Sequence, residues 1–209
     1  MAIKVSGLNL SNLKMRSLNL PPPSDATVGI FATGFNGTNN TTTRDKYLYV
    51  GDVNSSATAS SSVSIYGSAT GNSTVGIFAL IFGNISTRDK YTYVGDTNTS
   101  ATSSSSNPYA GSATGNSTVG IFAIGNTSTT RDKYTYAGDI NTSATASTVA
   151  SVYGSATGNS TVGIFAIGDV SVTRNKYTYS GDTNASATAS SAPSYGGAAC
   201  SNGTTGVNS

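Results

Sequence analysis

The sequence predicts an all-β fold, a four-bladed β-propeller built from four repeats of 43–47 residues and preceded by an extended N-terminal arm. Three observations lead there. Val-Gly-Ile-Phe recurs with its glycine at Gly29, Gly76, Gly120 and Gly163, and R-[DN]-K-Y-x-Y recurs from Arg44, Arg88, Arg131 and Arg174, each copy followed by Gly-Asp. The twelve tyrosines fall three to a repeat, from Tyr47, Tyr49 and Tyr66 in the first to Tyr177, Tyr179 and Tyr195 in the last. No stretch carries an apolar period of 3.6 over helical length, whereas short strand signals alternate with turn residues throughout.

The third repeat shows each element in order. Val119–Ile124 is apolar on both faces, as a strand sandwiched in a core should be, and stops at Gly125. Asp132–Tyr136 follows with a period of two, which puts Tyr134 and Tyr136 on one face and Lys133 and Thr135 on the other, so this strand is expected to be half-buried. Gly138-Asp139 turns the chain into a small-residue strand over 143–147, and Val152–Thr157 opens the next unit before a Gly158-Asn159 turn. Four short strands per period of this length are the mark of a propeller blade.

The chain starts repeat one at Thr27-Val28-Gly29 without the Tyr-Gly-Ser-Ala-Thr strand that precedes the others, and ends repeat four with an extra Ser194-Tyr195-Gly196 segment. The last strand is therefore expected to complete the first blade and close the ring. A right-handed β-solenoid is the alternative, since small Ser, Thr, Asn and Gly side chains also suit tight coils. The order of an apolar strand ending in glycine (Ile121–Gly125), an aromatic strand and a polar turn resembles a kelch repeat over residues 26 to about 200, although the second glycine and the tryptophan of that pattern are missing. The Ser/Thr-rich GIFA and RDKYTY units are similar to repeat proteins of cyanobacteria and their phages.

Composition narrows the function. Ser, Thr, Asn and Gly make up 108 of the 209 positions, and Glu, Gln, His and Trp are absent. With no imidazole and only nine carboxylates, general acid–base chemistry has few groups to work with, so no enzyme, catalytic residue, metal or cofactor is expected. A net charge of +2 is too weak a field for nucleic acid. The lone Cys200 cannot form an intrachain disulfide. Residues 1–20 lack the apolar run of a secretory signal, and no later stretch reaches the roughly 18 residues of a membrane helix. Synthesis in the cytoplasm and no membrane partner are the expectation.

Charge is concentrated in the repeated motif. Arg44, Asp52, Arg88, Asp96, Arg131, Asp139, Arg174 and Asp182 are the candidate ring, read first as ion pairs within or between blades and second as a fourfold ligand site. Arg174 is followed by Asn175, so the first Asp of the motif is dispensable once. Gly-Asp-x-Asn places Asp96 with Asn98 and Asp139 with Asn141 as calcium loops do, but no further carboxylates follow, and an Asx-type turn is the stronger reading. The tyrosines read as core and cross-strand pairs ahead of sugar-stacking groups.

Three regions result: an arm and Pro-rich spacer over 1–25, the repeats over 26–201, and a flexible tail over 202–209. In the arm, Leu8, Leu10, Leu13, Leu18 and Leu20 stand ahead of Pro21-Pro22-Pro23, a semi-rigid spacer, and are expected to bury in another protein subunit. The sequence therefore points to a non-enzymatic structural protein of a larger assembly, a phage tail, neck, fibre or head decoration in a virion or extracellular assembly. A lectin-like module binding cell-surface glycan is the alternative.

Overall fold

The computed structural model describes residues 28–32, 34–82 and 86–201. The chain is all β, with fifteen strands in four antiparallel sheets and no helix among the described residues. The first sheet contains β1 (Val28–Ala32), β2 (Arg44–Leu48) and β3 (Val53–Ala57). The second contains β4 (Ser68–Gly71), β5 (Val75–Ala79), β6 (Arg88–Thr92) and β7 (Thr97–Ala101). The third contains β8 (Ser112–Gly115), β9 (Val119–Ala123), β10 (Arg131–Thr135) and β11 (Ile140–Ala144), and the fourth β12 (Ser155–Gly158), β13 (Val162–Ala166), β14 (Arg174–Thr178) and β15 (Thr183–Ala187). Within every sheet the strands follow chain order, the up-and-down pattern of a propeller blade.

Hairpin loops fix the register. Thr135 pairs with Ile140, which leaves Tyr136–Asp139 as a four-residue loop with Gly138 and Asp139 at positive φ (85° and 54°). Glycine meets no Cβ clash there, and aspartate is among the residues that tolerate the left-handed region. This short loop starts the outer strand at Ile140, three residues earlier than the expected 143–147. The inner strand runs over Ser155–Gly158 and not 152–157, because Val152 makes only an isolated bridge to Gly168.

The sheets stack through both faces. Ile121 and Ala123 of β9 pack forward onto Phe165, Tyr177 and Tyr179 of the fourth sheet. From the opposite face of the third sheet, Phe122, Tyr134 and Tyr136 pack back onto Ile77 and Ala79 of the second. The middle strand alternates as expected: Asp132, Tyr134 and Tyr136 are buried and Lys133 and Thr135 half-buried, and Arg131 at its start is buried as well. Close approach of the inner strands explains the glycine of VGIFA. A Cβ on Gly120 would stand 2.4 Å from Thr70 Cγ2, and one on Gly163 2.5 Å from Thr114 Cγ2.

The expected closure by the last strand is not observed. The first sheet stays three-stranded, and the Tyr195 segment is held by its own side of the array: Ser194 bridges Ser171, its carbonyl accepts from the Val170 amide, and the Gly196 amide donates to Tyr153. The Ser194 bridge and the Gly196 bond repeat those made by Ser151 and Tyr153 one unit earlier. The strand thus continues the repeat pattern, and no strand pairing joins it to β1 among the described residues.

Candidate functional site

The motif residues meet between sheets, in a polar joint that occurs three times. Arg44 of β2 donates through Nη2 to Asp89 of β6 at 2.9 Å and through Nη1 to Asn98 of β7 at 2.8 Å. Arg88 repeats this with Asp132 (2.7 Å) and Asn141 (2.9 Å), and Arg131 with Asn175 (3.3 Å) and Asn184 (2.8 Å). Each guanidinium also lies over the phenylalanine ring of the next sheet, with its carbon 4.4 Å from the centroids of Phe78, Phe122 and Phe165. A flat, weakly hydrated cation suits such a stack far better than lysine would. The geometry leaves Nε of Arg44, Arg88 and Arg131 without an acceptor.

Behind each acceptor lies a loop of the preceding repeat. Ser61 donates its amide (2.8 Å) and hydroxyl (2.5 Å) to Asp89, and Ser105 does the same to Asp132. Thr148 donates its amide to Asn175 at 2.9 Å, and the Asn175 amide in turn donates to the Thr148 hydroxyl. Burial pulls the pKa of all three arginines below the ordinary range. Asp89 and Asp132 offset this for Arg44 and Arg88, whereas Arg131, facing a neutral amide, is brought down to about 10.

The Gly-Asp aspartates occupy a separate position at the rim. Asp96 accepts from the Tyr91 hydroxyl (2.5 Å), from the Thr58 amide of the preceding repeat (2.9 Å), and lies 3.6 Å from Lys46. Asp139 accepts from Tyr134 and Thr102, and Asp182 from Tyr177 and Thr145 with Lys133 at 3.6 Å. The Tyr91 hydrogen bond, seconded by the Thr58 amide, lowers the Asp96 carboxyl. For Asp139 and Asp182 burial pushes upward, but the threonine amides and tyrosine hydroxyls outweigh it. Asp52 accepts from Tyr47, and Arg174 has no hydrogen-bond or ion-pair partner among the described residues.

These contacts revise the pairing expected from the sequence. The buried partner of each arginine is the first Asp of the next motif, or its Asn substitute, and the Gly-Asp carboxylate serves tyrosine and threonine. Asn98 and Asn141 form no Asx turn with Asp96 and Asp139, since their side chains face the preceding sheet's arginine. The Asx geometry sits instead at Gly-Asn-Ser-Thr, where Asn116 Oδ1 accepts from the Thr118 and Val119 amides at 2.9 Å. Asn98 and Asn141, read from the sequence as turn residues, and Asn184, not singled out there, are the second acceptors of the arginines, and their recurrence at one place in the repeat was the signal for a shared role. No group of three or more His, Cys, Asp or Glu able to hold a metal occurs among the described residues. No helix among them is long and apolar enough to cross a membrane.

Two further features use residues from several repeats. Tyr66, Tyr109 and Tyr153 lie mutually within 5.9 Å between ring centroids, and Tyr195 stacks on Tyr153 at 4.5 Å. Tyr66, Tyr109 and Tyr195 are 40%, 37% and 62% exposed. A cavity of about 340 Å3 is lined by Thr70, Thr114 and Thr157 of the inner strands, by Tyr49 and by Cys200. The arm leucines Leu8, Leu10, Leu13, Leu18 and Leu20 lie outside the described residues.

Fold and joints together define a propeller-like tandem-repeat protein whose charged motif couples one sheet to the next. Compared with protein-family models and with curated proteins, the chain matches none.

Proposed function

We propose that this chain is a non-enzymatic structural protein of a multi-subunit assembly, a phage virion appendage of the tail, neck, fibre or head-decoration kind, attached through its N-terminal arm. The observation that carries the reading is the use of the charged motif. Arg44, Arg88, Arg131, Asp89 and Asp132 are buried between sheets and hydrogen-bonded there to the neighbouring repeat, so the groups that chemistry would need are committed to architecture. The surface left outward is rich in Ser, Thr and Asn, which suits an external module of low charge, and the five leucines of the arm match a segment that buries in a neighbouring subunit. Deleting residues 1–20 tests this directly: a folded, soluble protein that no longer joins its particle on reconstitution is the expected result, and unimpaired incorporation refutes the attachment role.

The exposed tyrosine cluster favours one second reading, a glycan-binding module. Tyr66, Tyr109 and Tyr195 offer ring faces of the kind that stack on sugars, and Tyr109 and Tyr153 share a 3.0 Å hydroxyl contact that orients them. Calorimetric titration with host-surface oligosaccharides, repeated with Tyr66→Ala, separates the two readings.

A further inference from the structure

Three joints of one design consume three donor faces and three acceptor faces, and four sheets leave one of each unused. On a donor face, isoleucine, arginine and the alanine of the outer strand surround a phenylalanine of the next sheet, as Ile121, Arg131 and Ala144 do around Phe165. The fourth sheet presents the same set, Ile164, Arg174 and Ala187, around an open groove of about 430 Å3 that also includes Lys176 and Thr188. The acceptor face left over is on the first sheet. Phe31 there is 56% exposed, whereas its equivalents Phe78, Phe122 and Phe165 are 7%, 1% and 1% exposed. Asp45 and Asn54 occupy the places that Asp89 and Asn98 hold in the second sheet, and both are unpartnered among the described residues.

We propose that the Arg174 face docks onto the Asp45 face of a second copy of this chain, so that copies associate head to tail through the same joint that couples the internal sheets. The match extends beyond one ion pair. In the internal joints Lys46 approaches Asp96 and Thr58 donates to it, and the free faces hold the corresponding Lys176 and Thr188 on one side and Asp52 on the other. The donor face thus carries two unpartnered cations and the acceptor face two carboxylates, with an exposed phenylalanine on one face and, on the other, an open groove whose Ile164 and Ala187 match the residues that receive phenylalanine in the internal joints. A second copy is the occupant because, among the described residues, no hydrogen bond, ion pair or ring contact joins the first sheet to the fourth within one chain. Such a heterologous contact builds a ring if its rotation closes and a filament if it does not. The inference goes beyond attachment by the arm and does not depend on it.

The test is the mass of the intact chain in solution, followed by sedimentation velocity over a micromolar concentration series. Self-association of the wild type is expected, weakened about tenfold or more in R174D and in D45R separately. An equimolar mixture of the two variants should recover association, since it brings an unaltered Arg174 face together with an unaltered Asp45 face. That recovery also shows that both variants are folded. A wild type that stays monomeric throughout, variants that associate as well as the wild type, or a mixture that stays monomeric would each overturn the proposal. Association that persists in both variants points instead to the arm. Variants that lose association while particle incorporation survives deletion of residues 1–20 would refute only the attachment reading.

Discussion

Asn175 is the position where one side-chain change should stabilise the fold. It stands where the second and third sheets have Asp89 and Asp132, and it leaves Arg131 buried against a neutral acceptor at 3.3 Å, where the other joints have 2.9 and 2.7 Å. At about 1.4 kcal/mol for each tenfold change in proton affinity, a guanidinium brought down to about 10 carries a burial cost of order 3 kcal/mol. Asn175→Asp supplies the missing carboxylate among donors already in place: the Thr148 amide at 2.9 Å, the Asn184 amide group at 3.1 Å, and a Thr148 hydroxyl positioned to donate as Ser105 does to Asp132. The new charge has its own desolvation cost, so the net gain falls below that ceiling, at about 1–2 kcal/mol. For a chain of this length each kcal/mol moves the melting temperature by about 2–4 °C. Calorimetric melts of the wild type and N175D should therefore differ by several degrees in favour of the variant. The reverse change, Asp132→Asn, should lower the melting temperature. An N175D melting point equal to or below the wild type would refute the claim that the carboxylate is what the third joint lacks.

Three other outcomes follow from the same contacts. Gly120→Ala should cost about 1–3 kcal/mol because its Cβ meets Thr70 at 2.4 Å, and urea titrations should show a smaller loss for Gly76→Ala, where the nearest atom is the Tyr93 hydroxyl oxygen at 3.1 Å. Burial, with the Asp hydrogen bonds second, raises the hydroxyl pKa of Tyr91, Tyr134 and Tyr177 above the unfolded value near 10, so this stability is complete below about pH 10 and is lost as pH rises above it; tyrosinate absorbance should then appear together with unfolding. Asp96, Asp139 and Asp182 have the opposite sign: their lowered pKa values add stability that is present above about pH 4 and lost as pH falls below it, and Asp139→Asn should flatten that acid limb in a pH series of melts.

The number of repeats, the all-β class and the chemistry of each strand were legible in the sequence, because a 43-residue period, a two-residue alternation and a Gly-Asp turn are local properties of the chain. The alternation assigned Tyr134 and Lys133 to opposite faces. It could not say that a second sheet covers the Arg131 side as well, since burial of a face depends on what packs against it. The same limit applies to the charges. Arg44 and Asp89 stand 45 positions apart, at a spacing also compatible with Asp96, and only the offset between stacked sheets selects Asp89 for the guanidinium and leaves Asp96 for Tyr91 and Thr58. Closure was likewise beyond the sequence. The Tyr195 segment had the composition of a missing inner strand, yet its backbone bonds repeat those of Tyr153 and keep it on the fourth repeat. Periodicity specifies each sheet and both of its faces, and the rotation between sheets, a property of the packed array, decides which faces meet.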